Sequence, residues 1–260
     1  MKNLYYLFAI TVLLGSSCQT KSPTVTKMNG SEKTFYEAAK YYLSEAAHNK
    51  GLEAIHRAIQ EKNQKHLVEL YYLKGFILHA YGETIDARAA YRYVIDHTEA
   101  YSLYKNKAAQ LLALNLAEEE FQEEIRVKQE ELLKNKNNEQ LTDHSYLMVE
   151  KQPRFPDCPE TTQTEIQKCS SQIVQEHIVR TYDVGLGNTF GIYEKVRTQV
   201  YYTIDTEGNV AGIAARGTNA FLSLEAKRVL FSLPQMIPGE SRGEKVSVPF
   251  SVPVTYNPMQ

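Results

Sequence analysis

The residues able to do covalent or acid–base chemistry are few in this chain, and their spacing points away from a catalytic centre. Its 3 cysteines are Cys18, Cys158 and Cys169. A thiolate or hydroxyl nucleophile needs a base beside it. The candidates for that base are His48, His56, His66, His79, His97, His144 and His177. All but His177 fall in a stretch of helical periodicity or in the polar connection after it, where histidines mostly pack or face solvent. No Ser-His-Asp arrangement, His-Glu-x-x-His or phosphate loop is present in the sequence. Two cysteines without a paired histidine are too few ligands for structural zinc. The expectation is a non-enzymatic protein with no catalytic residue, no metal and no cofactor. A periplasmic enzyme with an unseen site is the alternative.

The first cysteine has a different context. Met1–Cys18 reads MKNLYYLFAITVLLGSSC, with Lys2 as a positive start and Leu4–Leu14 as an apolar run. That run suits a signal-peptide core and is too short to span a bilayer, which takes about 20 apolar residues. It closes on Gly15-Ser16-Ser17-Cys18, which resembles a bacterial lipobox, although Leu14 stands one place further from the cysteine than the usual pattern. The resemblance implies that 1–17 is cleaved and that Cys18 is lipidated. Acyl chains would then anchor the chain at about 0.8 kcal/mol per buried methylene. The alternative is an ordinary cleaved secretory signal. On both readings the chain leaves the cytoplasm. Residues 18–31 are polar and read as a tether. They carry no acidic run after the cysteine, which favours an outer-membrane lipoprotein facing the periplasm.

The 260 residues are enough for two domains, and 43% hydrophobic content is ordinary for globular protein. A formal net charge of −2 gives no electrostatic case for nucleic acid. With Cys18 set aside, Cys158 and Cys169 are an even pair in an oxidising compartment.

From residue 32 to 136 the pattern is helical, with no proline between Thr24 and Gln152. Leu67, Leu70, Leu73, Ile77 and Tyr81 recur at helical spacing; Gly82 stops that helix and Glu83-Thr84 begins another. Gly75, Leu78, Gly82, Ala87, Tyr91 and Val94 resemble a tetratricopeptide repeat in their relative positions. Ala54 and Ala109, each about one repeat away, extend the reading to about three helical hairpins. The alternative is a generic helical bundle. The resemblance implies a groove for a peptide or helix, with Tyr71 and Tyr72 as candidate partner-binding residues. A charged helix from Leu116 to Lys134 is expected at the outer edge, followed by a polar connection over 137–154.

Residues 155–260 carry a second resemblance. Phe155-Pro156-Asp157-Cys158 precedes a helix beginning near Thr164. Val196, Thr198, Val200, Tyr202 and Ile204 alternate as a strand, Asp205–Asn209 turns, and a second strand returns from Val210. Leu222, Ala226, Val229, Leu230 and Leu233 mark a helix with one buried face. Pro238-Gly239 and Arg242-Gly243 lead to a last strand bearing Val246, Val248, Phe250, Val252, Val254 and Tyr256. This order resembles the C-terminal domain of TonB, a periplasmic protein-binding module. Asp183, where the family has Tyr-Pro, and the glycine-rich residues 183–194 depart from it.

The resemblance implies a small α+β domain with an antiparallel sheet of about three strands and two helices. It also implies a Cys158–Cys169 disulfide, worth about 3 kcal/mol at best for so short a loop. Its relatives bind an extended segment of an outer-membrane transporter by strand addition. Here Ser247, Ser251 and Thr255 are the candidate contacts on the last strand. Pro249 and Pro253 guard that edge, which shifts the expectation toward binding through the helical groove. Neither an inner-membrane helix nor a Pro-rich spacer is present in this sequence, so proton-gradient coupling is not expected. The reading is therefore a lipid-anchored envelope adaptor for protein partners. A structural or dimerising module without a transporter partner is the alternative. Replacing Cys18 by alanine is expected to move the protein from membranes to the soluble fraction, or to block its processing. Maturation of that variant with continued sedimentation in membranes would reject the anchor.

Overall fold

The computed structural model describes residues 34–61, 66–100, 102–135, 149–159 and 161–258. The signal peptide, Cys18 with its tether, and 136–148 of the connection lie outside the described residues. The chain divides into Met1–Glu32 and Lys33–Gln260, and every described residue belongs to the second unit. That unit is α+β.

Its helices begin and end where local chemistry says they should. Thr34 caps α1 (Phe35–Ser44), its side chain accepting from the Glu37 N–H while the Glu37 carboxylate accepts from the Thr34 N–H. Next come α2 (His48–Gln60), α3 (Leu67–Ala80) and α4 (Thr84–Asp96). Between α3 and α4 the chain turns at Gly82, whose φ of +84° suits glycine. α3 and α4 lie close because Gly75 has no side chain: a Cβ there would sit 2.7 Å from the Tyr91 ring. α5 runs unbroken from Leu103 to Asn135. No glycine or proline interrupts it, so the third hairpin expected from Ala109 does not form within it. The charged stretch after Leu116 is the second half of the same helix.

The C-terminal elements follow the anticipated order, with additions. α6 (Gln163–Thr181) opens on a Thr162–Glu165 capping box. A short α7 (Leu186–Thr189) precedes β1 (Val196–Ile204) and β2 (Val210–Arg216). α8 (Ala220–Phe231), capped by Asn219, is followed by a small ribbon of β3 (Gly239–Ser241) and β4 (Glu244–Val246), and then β5 (Val248–Tyr256). The three-stranded sheet is antiparallel in the order β2-β1-β5. Along β1, Val196, Thr198, Val200, Tyr202 and Ile204 are buried, while Arg197 and Tyr201 are exposed. One face of the sheet thus meets α8 and the other meets water.

Two features tighten this half. Cys158 and Cys169 form a disulfide, which ties the segment entering the domain to α6. Glu150–Arg154, at the end of the stretch read as a connection, pairs with Ile237 and Glu240. In the β1–β2 turn the Asp205 carboxylate accepts from the N–H groups of Glu207 and Asn209. Gly208 lies under the Met236 carbonyl, too close for any Cβ.

Gly75→Ala gives a test with an unusual sign. In an exposed helix interior this change stabilises by about 1 kcal/mol. Here the added methyl meets Tyr91, and a loss of about 1–3 kcal/mol is expected in denaturant unfolding. An unchanged or raised midpoint would mean that α3 and α4 are not held at this distance.

Candidate functional site

The side of the hairpins formed by α1, α3 and α5 is occupied by the chain's own C-terminal half. α7 packs on α1, and α8 packs on both α3 and α5. At the centre is a set of aromatic rings. Phe190, after α7, stacks on Phe221 of α8 at 4.2 Å and 5°, and Phe76 of α3 stacks on Phe190 at 5.6 Å. His48 of α2 meets the edge of this stack and places its Nε2 3.1 Å from the Phe190 carbonyl. Gly191 lies against the Ser44 carbonyl, and the Tyr193 hydroxyl donates to that same oxygen at 3.2 Å. Residues 183–194, which depart from the TonB pattern, are thus among those that touch the hairpins, together with α8.

Beside the rings lies a buried ion pair. Glu225 and Arg228 of α8 are 0% and 1% exposed. Arg228 Nε donates to Glu225 Oε2 at 2.8 Å and Nη2 donates to Oε1 at 2.6 Å. Its remaining donors reach the Thr181 carbonyl at the end of α6 and Gln110 of α5. The Asp183 N–H donates to Glu225, and the Asp183 carboxylate pairs with Lys107 of α5. Three helices thus meet on one guanidinium. Such a pair is held by its hydrogen bonds, because two bare charges taken from water lose more hydration than they regain by attraction.

A second link joins α5 to α3 and α8. Glu118 accepts from His79 Nε2 at 2.8 Å and from Lys227. The Tyr91 hydroxyl lies 3.3 Å from His79 Nδ1. Burial pushes the Glu118 carboxyl upward, but the bonds from His79 and Lys227 outweigh it and hold the group below the usual carboxylate range. Its contribution to stability is present above the unfolded pKa and is lost as pH falls through the folded one.

Tyr72, expected to face a partner, is buried at 3% exposure between Phe76 and Tyr104. It lies on the α8 side of α3, and its hydroxyl has no hydrogen-bond partner among the described residues. Burial, with Glu225 adding to it, pushes that phenol well above its ordinary range. Tyr71, one residue back and about 100° around the helix, stacks on Tyr93 at 3.7 Å. His177 is buried, with Nε2 3.0 Å from the Val229 carbonyl. Burial lowers its pKa, which that bond partly opposes. Among the described residues no group of three or more His, Cys, Asp or Glu is placed to hold a metal ion.

The other surface is the edge strand. Ser247, Ser251 and Thr255 are all exposed, Ser247 just before β5 and the other two on it. β5 pairs with β1 without interruption, Pro249 opposite Thr203 and Pro253 opposite Gln199. An unbroken ladder places both proline nitrogens on the outward side. Between β5 and α6 is a cavity of about 300 Å³. Tyr202 and Phe250, their rings stacked at 5.7 Å, line it with Val252 and Met236, opposite Gln167, Ser171 and Gln175 of α6. Sequence reading missed this groove and the role of Arg228. The apolar residues on both sides of Glu225 and Arg228 were a signal that this pair is buried.

Arg228→Met leaves the Glu225 carboxylate buried without its partner, and a loss of about 3–5 kcal/mol is expected. The Glu225→Leu, Arg228→Met double variant is expected to regain part of that loss. Equal stability of Arg228→Met and the parent in urea unfolding would show that the pair does not hold the helices together.

Compared with known proteins, the chain matches no protein-family description, no curated protein and no solved structure.

Proposed function

We propose that this chain is a non-enzymatic, lipid-anchored adaptor of the bacterial envelope, working without proton-gradient coupling. It binds a protein partner through its C-terminal half, and the helical hairpins act as the scaffold that holds this half. Two resemblances support the reading, to tetratricopeptide repeats over 32–136 and to the TonB C-terminal domain over 155–260. The observation that carries the choice of surface is the filling of the α1, α3 and α5 side by α7 and α8. Tyr72 has no access to a partner there. The sequence had shifted the expectation toward the helical groove; with that side occupied, the adaptor's free surface is β5 and its surroundings.

One observation favours a second reading, a structural or dimerising module. The outward edge of β5 carries Pro249 and Pro253, which weaken pairing with another strand. Photo-crosslinking in living cells separates the two readings. A photoreactive residue is placed at Ser251 or, separately, at Tyr71. The adaptor reading expects covalent products with another envelope protein from position 251 and none from 71. Products with a second copy alone would favour the dimerising module. Products from 71 only would sink the proposed surface.

A further inference from the structure

We infer that the groove between α6 and β5 holds an uncharged, extended polypeptide segment chiefly through side chains, not by full strand addition. The inference rests on the proposal that the C-terminal half binds a protein.

The first observation is the supply of main-chain donors. Positions 249, 251, 253 and 255 face outward from β5, and two of them are prolines. Ser251 and Thr255 keep the only N–H groups on that side of the strand, about 13 Å apart at 3.3 Å per residue. A strand added here would find half of its usual donors missing. Backbone pairing alone would hold it weakly.

The second observation is what lies beside that edge. α6 stands opposite β5 across the cavity, fixed near one end by the Cys158–Cys169 disulfide and toward the other by His177 against α8. Gln167 and Gln175 face the cavity two helical turns apart, about 12 Å. Each side-chain amide offers donors and an acceptor, the same groups that a peptide bond presents. The two rails are thus matched in length, each spanning about four residues of extended chain. The glutamines supply the donors that the prolines remove. Below them Phe250, Val252, Tyr202 and Met236 form an apolar floor for alternate side chains of the segment.

The third observation is charge. Every described residue lining the cavity is uncharged. A lysine or glutamate of the segment placed on that floor would lose hydration and meet no counter-charge. Leucine, valine, threonine or glutamine would not. The groove therefore selects neutral segments, and the volume of about 300 Å³ holds only a few side chains.

The test is selection of random nine-residue peptides, displayed on phage, against the detergent-solubilised full chain. Selected peptides are expected to be uncharged at alternating positions. Putting glutamate at one of those positions should weaken binding about tenfold or more. Ser251→Pro should weaken it only about fivefold, the worth of one hydrogen bond. Gln167→Glu, at an exposed helix position, should newly admit peptides carrying lysine there. If Ser251→Pro abolishes binding while peptide charge has no effect, strand addition is the mode; the inference falls and the adaptor reading stands. If neither variant affects the selected peptides, the site lies elsewhere and the inference falls. If no peptide is enriched at all, the adaptor reading falls with it.

Discussion

The structure turns on a charged pair that water cannot reach. Glu225 and Arg228 sit where α5, α6 and α8 converge, and beyond the two bonds between them they reach Gln110 of α5, the Thr181 carbonyl at the end of α6 and the Asp183 N–H just after it. A buried charge tolerates little change of geometry, because each lost bond leaves a polar group unsatisfied. Apolar packing alone would let α8 slide along α3 and α5. The ion pair fixes its register, and with it the sheet that α8 covers. The Phe76, Phe190 and Phe221 stack supplies area, and the pair supplies position.

That joint explains why the sequence departs from its resemblances where it does. Asp183 gives its N–H to Glu225 and its carboxylate to Lys107. The glycine at 191 allows the following loop to lie against the turn between α1 and α2. The half that resembles a peptide-binding repeat has its groove side met by the half that resembles a strand-binding domain. Together they have one continuous core, running from Ala39 and Leu43 through Phe76 to Val200 and Tyr256.

Much of this was legible from periodicity. The alternation along Val196–Ile204 gave β1, and the spacing of Leu222, Ala226, Val229 and Leu230 gave α8. Gly75 and Tyr91 announced a close helix pair. Local pattern does not report what packs against a face, however. Tyr71 and Tyr72 look alike in sequence, yet one stacks on a neighbouring helix and the other is sealed beneath α8. The length of α5 was hidden for the opposite reason, since its second half has too thin an apolar stripe to show that it continues the first. The α6–β5 groove could not be read at all, because it depends on how far one element stands from another.

The placement of α8 also sets an order of events as the chain emerges, N-terminus first, into the compartment where it folds. The hairpins and α5 are complete by Asn135, but the side chains that close Phe76 and Tyr72 from solvent end at Phe231, about 100 residues later. Until then the early helices have an unfilled apolar side and no means of covering it within their own sequence. Native closure is therefore a late, all-at-once event that waits for the far end of the chain. A product truncated anywhere before Ala220 is left with the aromatic surface open, a ready target for chaperones and proteases.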